Sequence, residues 1–124
     1  MAHRSRIGVV VIDCQTDDLT EPLAFWKAAL GCEGAVDPDG QYAQLHIEGQ
    51  MRVLLQRVDH EPRVHLDIET DDRVAEKARL ESVGATPVAS LKTWHVMEAP
   101  TGHRFCIVGP QGGDFPAGAA TWED

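Results

Sequence analysis

Residues 65–72 read HLDIETDD, and 54 positions earlier residues 11–18 read VIDCQTDD. Asp13, Thr16, Asp17 and Asp18 recur as Asp67, Thr70, Asp71 and Asp72, Leu66 answers Ile12, and His65 stands where the first copy has Val11. Around the second copy, Arg63-Val64-His65-Leu66-Asp67-Ile68-Glu69 alternates polar and apolar residues, the period of a strand with one buried face. The following DDRVAEKARLESVGA is rich in helix formers. Thr70 or Asp71 is placed to cap its start, Gly84 to end it, and Val74, Ala78, Leu80 and Val83 give it an apolar stripe.

The first copy has the same plan. IGVVVID (7–13) reads as a strand and LTEPLAFWKAALG (19–31) as a helix, with Pro22 in its first turn, Trp26 in its buried stripe and Gly31 past its end. Three short strands follow each helix: roughly 32–36, 42–47 and 51–58, then roughly 86–89, 93–98 and 103–109. A weaker echo at an offset of 52 sets MRVLLQ (51–56) against HRFCIV (103–108) and Tyr42 against Trp94. The pattern predicts an α+β fold of two tandem βαβββ modules, each with a helix on one face of its sheet and the other face free to curve around a shared hollow. Residues 1–124 then form one domain, with module one at 7–58, module two at 63–109 and a glycine- and alanine-rich tail at 110–124. The tail reads as loosely ordered, with Phe115 and Trp122 able to dock on the body.

Composition narrows the function. A chain 43% hydrophobic and 25% charged can fold without metal or disulfide support, and a net charge of −9 without a basic run argues against nucleic-acid and anionic-membrane partners. No stretch reaches the ~20 apolar residues of a membrane span. The opening MAHRSRIGVVVID has an apolar run of only Ile7–Ile12 and reads as a strand rather than a leader. Three cysteines without CxxC spacing fit reduced thiols in the cytoplasm.

Strand alternation sorts the side chains. Val64, Leu66 and Ile68 go under the second helix, and Arg63, His65, Asp67 and Glu69 to the opposite face. Val9, Val11 and Asp13 share that face in module one, with Tyr42, Gln44, His46, Arg52, Leu54 and Gln56. Trp94, Val96, Glu98, Arg104, Cys106 and Val108 share it in module two. So many ionisable groups do not suit a plain core, since an unpaired buried charge costs several kcal/mol. The face reads as the wall of a ligand-binding cleft.

The segments VIDCQTDDLTEPLAFWKAALGCEG, VHLDIETDD…LESVGATPV and TWHVMEAPTGHRFCIVG resemble the glyoxalase-like domain group of the glyoxalase, bleomycin-resistance and extradiol-dioxygenase superfamily, also called vicinal oxygen chelate. The resemblance covers residues 7–109 and implies a cupped, incomplete mixed β-barrel with the helices outside. In metal-dependent relatives one divalent ion sits in the cup, held from the first and last strand of each module. Those positions correspond here to Val11, Leu54, His65 and Cys106. Two are aliphatic, so the expectation is no cofactor; a metal, if present, falls to His65 and Cys106. Relatives often carry an acidic-Pro-acidic-Gly-Asn-Glu run before FC, whereas this chain has Ala99-Pro100-Thr101-Gly102-His103-Arg104. An arginine in place of glutamate implies a changed preference for ligand charge.

Among individual residues, His65 and Asp67 are two apart on one face and either form a proton-transfer pair or a structural pair at the module seam. Asp13, the twin of Asp67, reads as structural. Arg52 and Arg104 either clamp an anion or neutralise the aspartates, with Arg52 favouring pairing and Arg104 favouring ligand contact. Trp94 and Tyr42 form a stacking wall or core, and His46 opposite Glu98 makes a second acid–base couple. Gln56 and Cys106 complete the binding set, while His3, His60, His95 and His103 read as surface or edge residues. The leading expectation is a small-molecule-binding protein, as an enzyme a metal-independent isomerase or lyase acting on a polar or anionic substrate. His65 or Glu98 would be the base and Arg104 the oxyanion holder. The alternative is a non-catalytic protein that sequesters a drug or metabolite, followed by a metal-dependent glyoxalase or dioxygenase. Exposed sheet edges and the tail leave room for a homodimer.

Overall fold

In the computed structural model, which describes residues 2–49 and 51–123, the chain divides into two compact units, Val9–His65 and Met1–Gly8 with Leu66–Asp124. Strand β1 (Ala2–Gln15) contributes to both, as does β5 (Arg63–Thr70).

The Val9–His65 unit contains α1 (Thr20–Leu30), β2 (Glu33–Val36), β3 (Tyr42–His46) and β4 (Arg52–Val58). Its strands run β2-β3-β4-β1, antiparallel except for the parallel β4–β1 pair. A parallel pair needs a long crossover, and α1 with β2 and β3 supplies it. The Asp18 carboxylate accepts from the Thr20 amide at 2.8 Å at the helix start, and hydrogen bonds from the Thr20 side chain and then its amide hold the Asp18 pKa below its ordinary value. Gly31 ends α1 in the left-handed region at φ 66°, its amide bonding the Lys27 carbonyl. Leu19 and Leu23 pack on Ala43, Leu45 and Leu55, with Ile12, Val53 and Trp26 around them. The face predicted to lie under this helix is therefore buried, and so are Val9, Val11 and Asp13 on the opposite face of β1.

The other unit carries α2 (Arg73–Ser82), β6 (Thr86–Ser90), β7 (Trp94–Glu98), β8 (Arg104–Val108) and β9 (Ala120–Glu123). Its strands run β5-β8-β7-β6, again with one parallel pair, β5–β8. The strand–helix–strand–strand–strand plan thus occurs twice, in mixed sheets, as the repeat predicts. Among the described residues no helix is long and apolar enough to cross a membrane.

Four expectations change. First, the echo of 54 then 52 residues is not a structural equivalence: Val11 pairs with Leu54, but Cys106 pairs with Asp67 rather than with His65. The shortfall of two becomes a register step of two, which leaves each side chain on its predicted face. Second, Asp72 caps α2, accepting from the Ala75 amide at 3.0 Å. Thr70 and Asp71 instead bind the backbone of Arg4, at 2.8 Å each.

Third, α2 does not bury its apolar stripe. Val74 is 78% and Val83 67% exposed, and the fully buried residue is Glu76. Val64 and Leu66 are exposed too, while Met97 and Ile107 are completely covered, because α2 lies over β7 and β8. Fourth, the tail is structured. β9 pairs antiparallel with residues 2–5 of β1, Trp122 donates to Ser5 Oγ at 2.9 Å, and the Arg79 guanidinium lies 3.9 Å from the Trp122 ring centroid. His3, expected at the surface, is buried with its Nε2 2.8 Å from Glu76. Arg79 grips both oxygens of the same carboxylate, at 2.8 and 2.9 Å. Polar groups pack here because each has a partner.

Candidate functional site

On the face of Val9–His65 opposite α1, cross-strand registers set the side chains in rows. Tyr42, Gln56 and Asp13 form one row, with Gln56 Nε2 donating to Tyr42 Oη at 3.4 Å. Gln44, Leu54 and Val11 form the next. Arg52 donates to Gln44 at 3.3 Å, so it serves an amide rather than the aspartate pairing expected of it.

Asp13 is the centre of this face. It is 3% exposed, and its Oδ2 lies 3.1 Å from His65 Nδ1, 3.7 Å from His60 Nε2 and 3.7 Å from Arg63 Nε. Its Oδ1 is buried with no hydrogen-bond partner among the described residues. Oδ2 and His65 Nδ1 lie within hydrogen-bonding distance, and with Nδ1 protonated the His65 ring donates to the carboxylate. Next along β1, burial and the Asp13 charge push the Cys14 thiol pKa up.

In the other unit the corresponding face shows the rows Asp67–Cys106–Val96 and Glu69–Val108–Trp94. His65 and Asp67 share one face of β5, and with Cys106 they form a half-buried group of ligand-type side chains. Glu69 is 2% exposed; Arg6 Nε and the Gln111 amide donate to it at 2.9 and 2.8 Å. A Cβ at Gly8 would come within 2.2 Å of the Glu69 side chain, so only glycine fits there. Glu98 and Arg104 bond each other at 3.0 Å, both more than a third exposed. Trp94 is 37% exposed. His46, at the end of β3, is exposed in a groove that includes Lys27 and Glu33 at the far end of α1.

The predicted residues thus fall into local sets: Tyr42 with Gln56, Asp67 with Cys106, and Glu98 with Arg104. Sequence reading gave no chemical role to Asp13, Arg63 or His60. The signal for Asp13 was its place in the repeat and on the ligand face, and for Arg63 its position two residues before His65. His60 lies in the connection between modules, where strand parity says nothing.

The sequence matches the model of the glyoxalase-like domain over residues 9–108. No curated protein matches it. Among solved structures, hypothetical protein BH1468 from Bacillus halodurans C-125 superposes with a TM-score of 0.61 at 13% identity, over 87% of this chain and 96% of that one. A glyoxalase/bleomycin resistance protein/dioxygenase superfamily member from Vibrio splendidus 12B01 gives 0.52 at 20% identity, over 83% and 98%. A chain described as an NAD-dependent benzaldehyde dehydrogenase from Legionella pneumophila gives 0.54 at 15% identity, over 82% and 99%. Identities this low speak for the fold alone. With the family model spanning most of the chain and both βαβββ modules in place, the protein belongs to the glyoxalase-like domain family of the vicinal oxygen chelate superfamily.

Proposed function

We propose that this small-molecule-binding fold catalyses proton transfer on a polar organic substrate, in an isomerase or lyase reaction, with His65 as the base. The observation that carries the reading is the buried Asp13 carboxylate 3.1 Å from His65 Nδ1. That contact orients the imidazole ring and stabilises the imidazolium formed when the ring takes a proton. Glu98 is a weaker candidate, since Arg104 already occupies its carboxylate. Tyr42 and Gln56, in the row of Asp13, supply hydroxyl and amide groups to orient a ligand.

Solvent-deuterium incorporation into small carbonyl compounds, followed by NMR, tests the reading. His65→Gln is expected to abolish exchange. Asp13→Asn is expected to slow it by roughly 10²–10⁴-fold while leaving the fold intact. Exchange retained in the His65 variant would remove that residue from the mechanism. Tight ligand binding with no exchange in the parent protein would favour sequestration.

A second reading rests on His65, Asp67 and Cys106, which offer nitrogen, oxygen and sulfur donors on neighbouring strands. That set suits a borderline ion such as zinc and leaves a coordination position for substrate. An ion held there would polarise a substrate oxygen, and Asp13 would orient His65 toward it. Metal analysis of protein purified without chelator separates the two readings: stoichiometric metal lost in Cys106→Ser supports the second. The acidic surface and free thiols fit a cytoplasmic setting, and the exposed edge strand β6 offers a route to a homodimer, which light scattering tests.

A further inference from the structure

Exposure falls in steps toward the Asp13 carboxylate: Arg63 is 45% exposed, His60 37%, His65 12% and Asp13 itself 3%. All three nitrogen-bearing side chains approach the same oxygen, Oδ2, so one buried negative charge faces three cationic or protonatable heads. Arg63 makes no hydrogen bond among the described residues, and its Nε stands 3.7 Å from Asp13, beyond bonding distance. Its fork of donors is therefore unspent, at the most open point of the site. Arg104, the arginine expected to meet a ligand, is committed to Glu98, and Arg52, expected to pair, is committed to Gln44.

From this arrangement we infer that Arg63, with His60 beside it, anchors the carboxylate of a short-chain organic acid at the mouth of the Asp13–His65 site. The inference rests on the proposed role of His65 and names the class of substrate that role serves. A guanidinium binds a carboxylate through two parallel hydrogen bonds. The Asp13 charge nearby disfavours a dianion such as phosphate ester more than it disfavours a monoanion. Because Arg63 and His65 both reach one oxygen, their heads are close together. An acid held by the Arg63 fork therefore has its carbons beside the imidazole. The site thus fits proton transfer at a carbon adjacent to the carboxylate: a C–H bond breaks, its electron pair passes into the acid's carbonyl system, and the proton goes to the His65 imidazole.

The test uses sodium glycolate as the carboxylate probe, ethylene glycol as its neutral counterpart and inorganic phosphate as the dianionic one. Binding is read from the imidazole NMR signals of His65 in the full-length protein. Glycolate is expected to shift these signals saturably, ethylene glycol not at all, and phosphate more weakly than glycolate. Arg63→Gln is expected to weaken glycolate binding at least tenfold, Arg63→Lys less, and Arg104→Gln not at all. Thermal unfolding of each variant checks that the fold survives. No saturable response in the parent protein, equal binding by Arg63→Gln, loss of binding in Arg104→Gln, or tighter binding of phosphate would each overturn the inference. The role of His65 is judged separately by deuterium exchange in His65→Gln, so failure of one leaves the other measurable.

Discussion

Glu76 is the residue whose environment departs furthest from what its side chain ordinarily tolerates. Burial alone would raise its pKa, yet hydrogen bonds from Arg79, His3 and Ser5, with the Arg79 charge, outweigh burial and hold it below the ordinary 4.5. A folded-state pKa below the unfolded value adds stability above the unfolded value, and that stability drains away as pH falls through the folded one. Unfolding midpoints measured from pH 7 down to pH 3 should therefore fall on acidification, and Glu76→Gln should flatten that dependence. At neutral pH the same variant should lose roughly 3–5 kcal/mol, the usual cost of breaking a buried charge pair from one side, measurable by denaturant titration. Gly8→Ala should also destabilise, because the new methyl would displace the Glu69 carboxylate from Arg6 and the Gln111 amide. A Gly8→Ala protein as stable as the parent would show that Glu69 has room to move.

Among the elements, α2 is held by its start as well as by the buried face that carries Glu76. Its one side-chain cap is Asp72, and Asp72→Ala should cost about 1 kcal/mol, read from the same titrations. Strand β9 is held by its ladder to β1 and by Trp122, which bonds Ser5 and stacks on Arg79. Trp122→Ala should destabilise and should also make residues 120–123 exchange their amide protons faster. Unchanged protection there would mean the ladder suffices without the ring.

The elements were largely legible. Period-2 alternation gave β5, and Gly31 and Gly84 closed the two helices. What alternation cannot show is which surface a helix meets. Val74 and Val83 look like a buried stripe until β1 and β9 bring His3, Ser5 and Trp122 to the other side of α2. The candidate site was legible by face and not by partner: parity put Asp13, Arg63 and His65 on one side, but their meeting at a single oxygen needed the fold. The two-residue step that sets Cys106 opposite Asp67 was hidden because parity is blind to even slips.

For the whole molecule, the boundary read from the repeat and the boundary drawn by contacts disagree. The repeat divides the chain near residue 60, whereas the compact unit containing α2 also takes in residues 1–8. Severing the chain between modules would strip that unit of His3, Arg6 and Gly8, which satisfy Glu76 and accommodate Glu69. The fragment 63–124 should accordingly show no cooperative unfolding transition by circular dichroism, and a peptide of residues 1–8 added in trans should restore one. A cooperative transition in the fragment alone would show that the first strand is dispensable.

The pairing of residues 2–5 with 120–123 also has a consequence for synthesis. Residues 2–5 leave the ribosome long before the strand they pair with. Val9–His65 has its own core and can settle while translation continues. Residues 2–5 must wait, unmatched, until residues 120–123 have been made, so that segment stays open to proteolysis during synthesis.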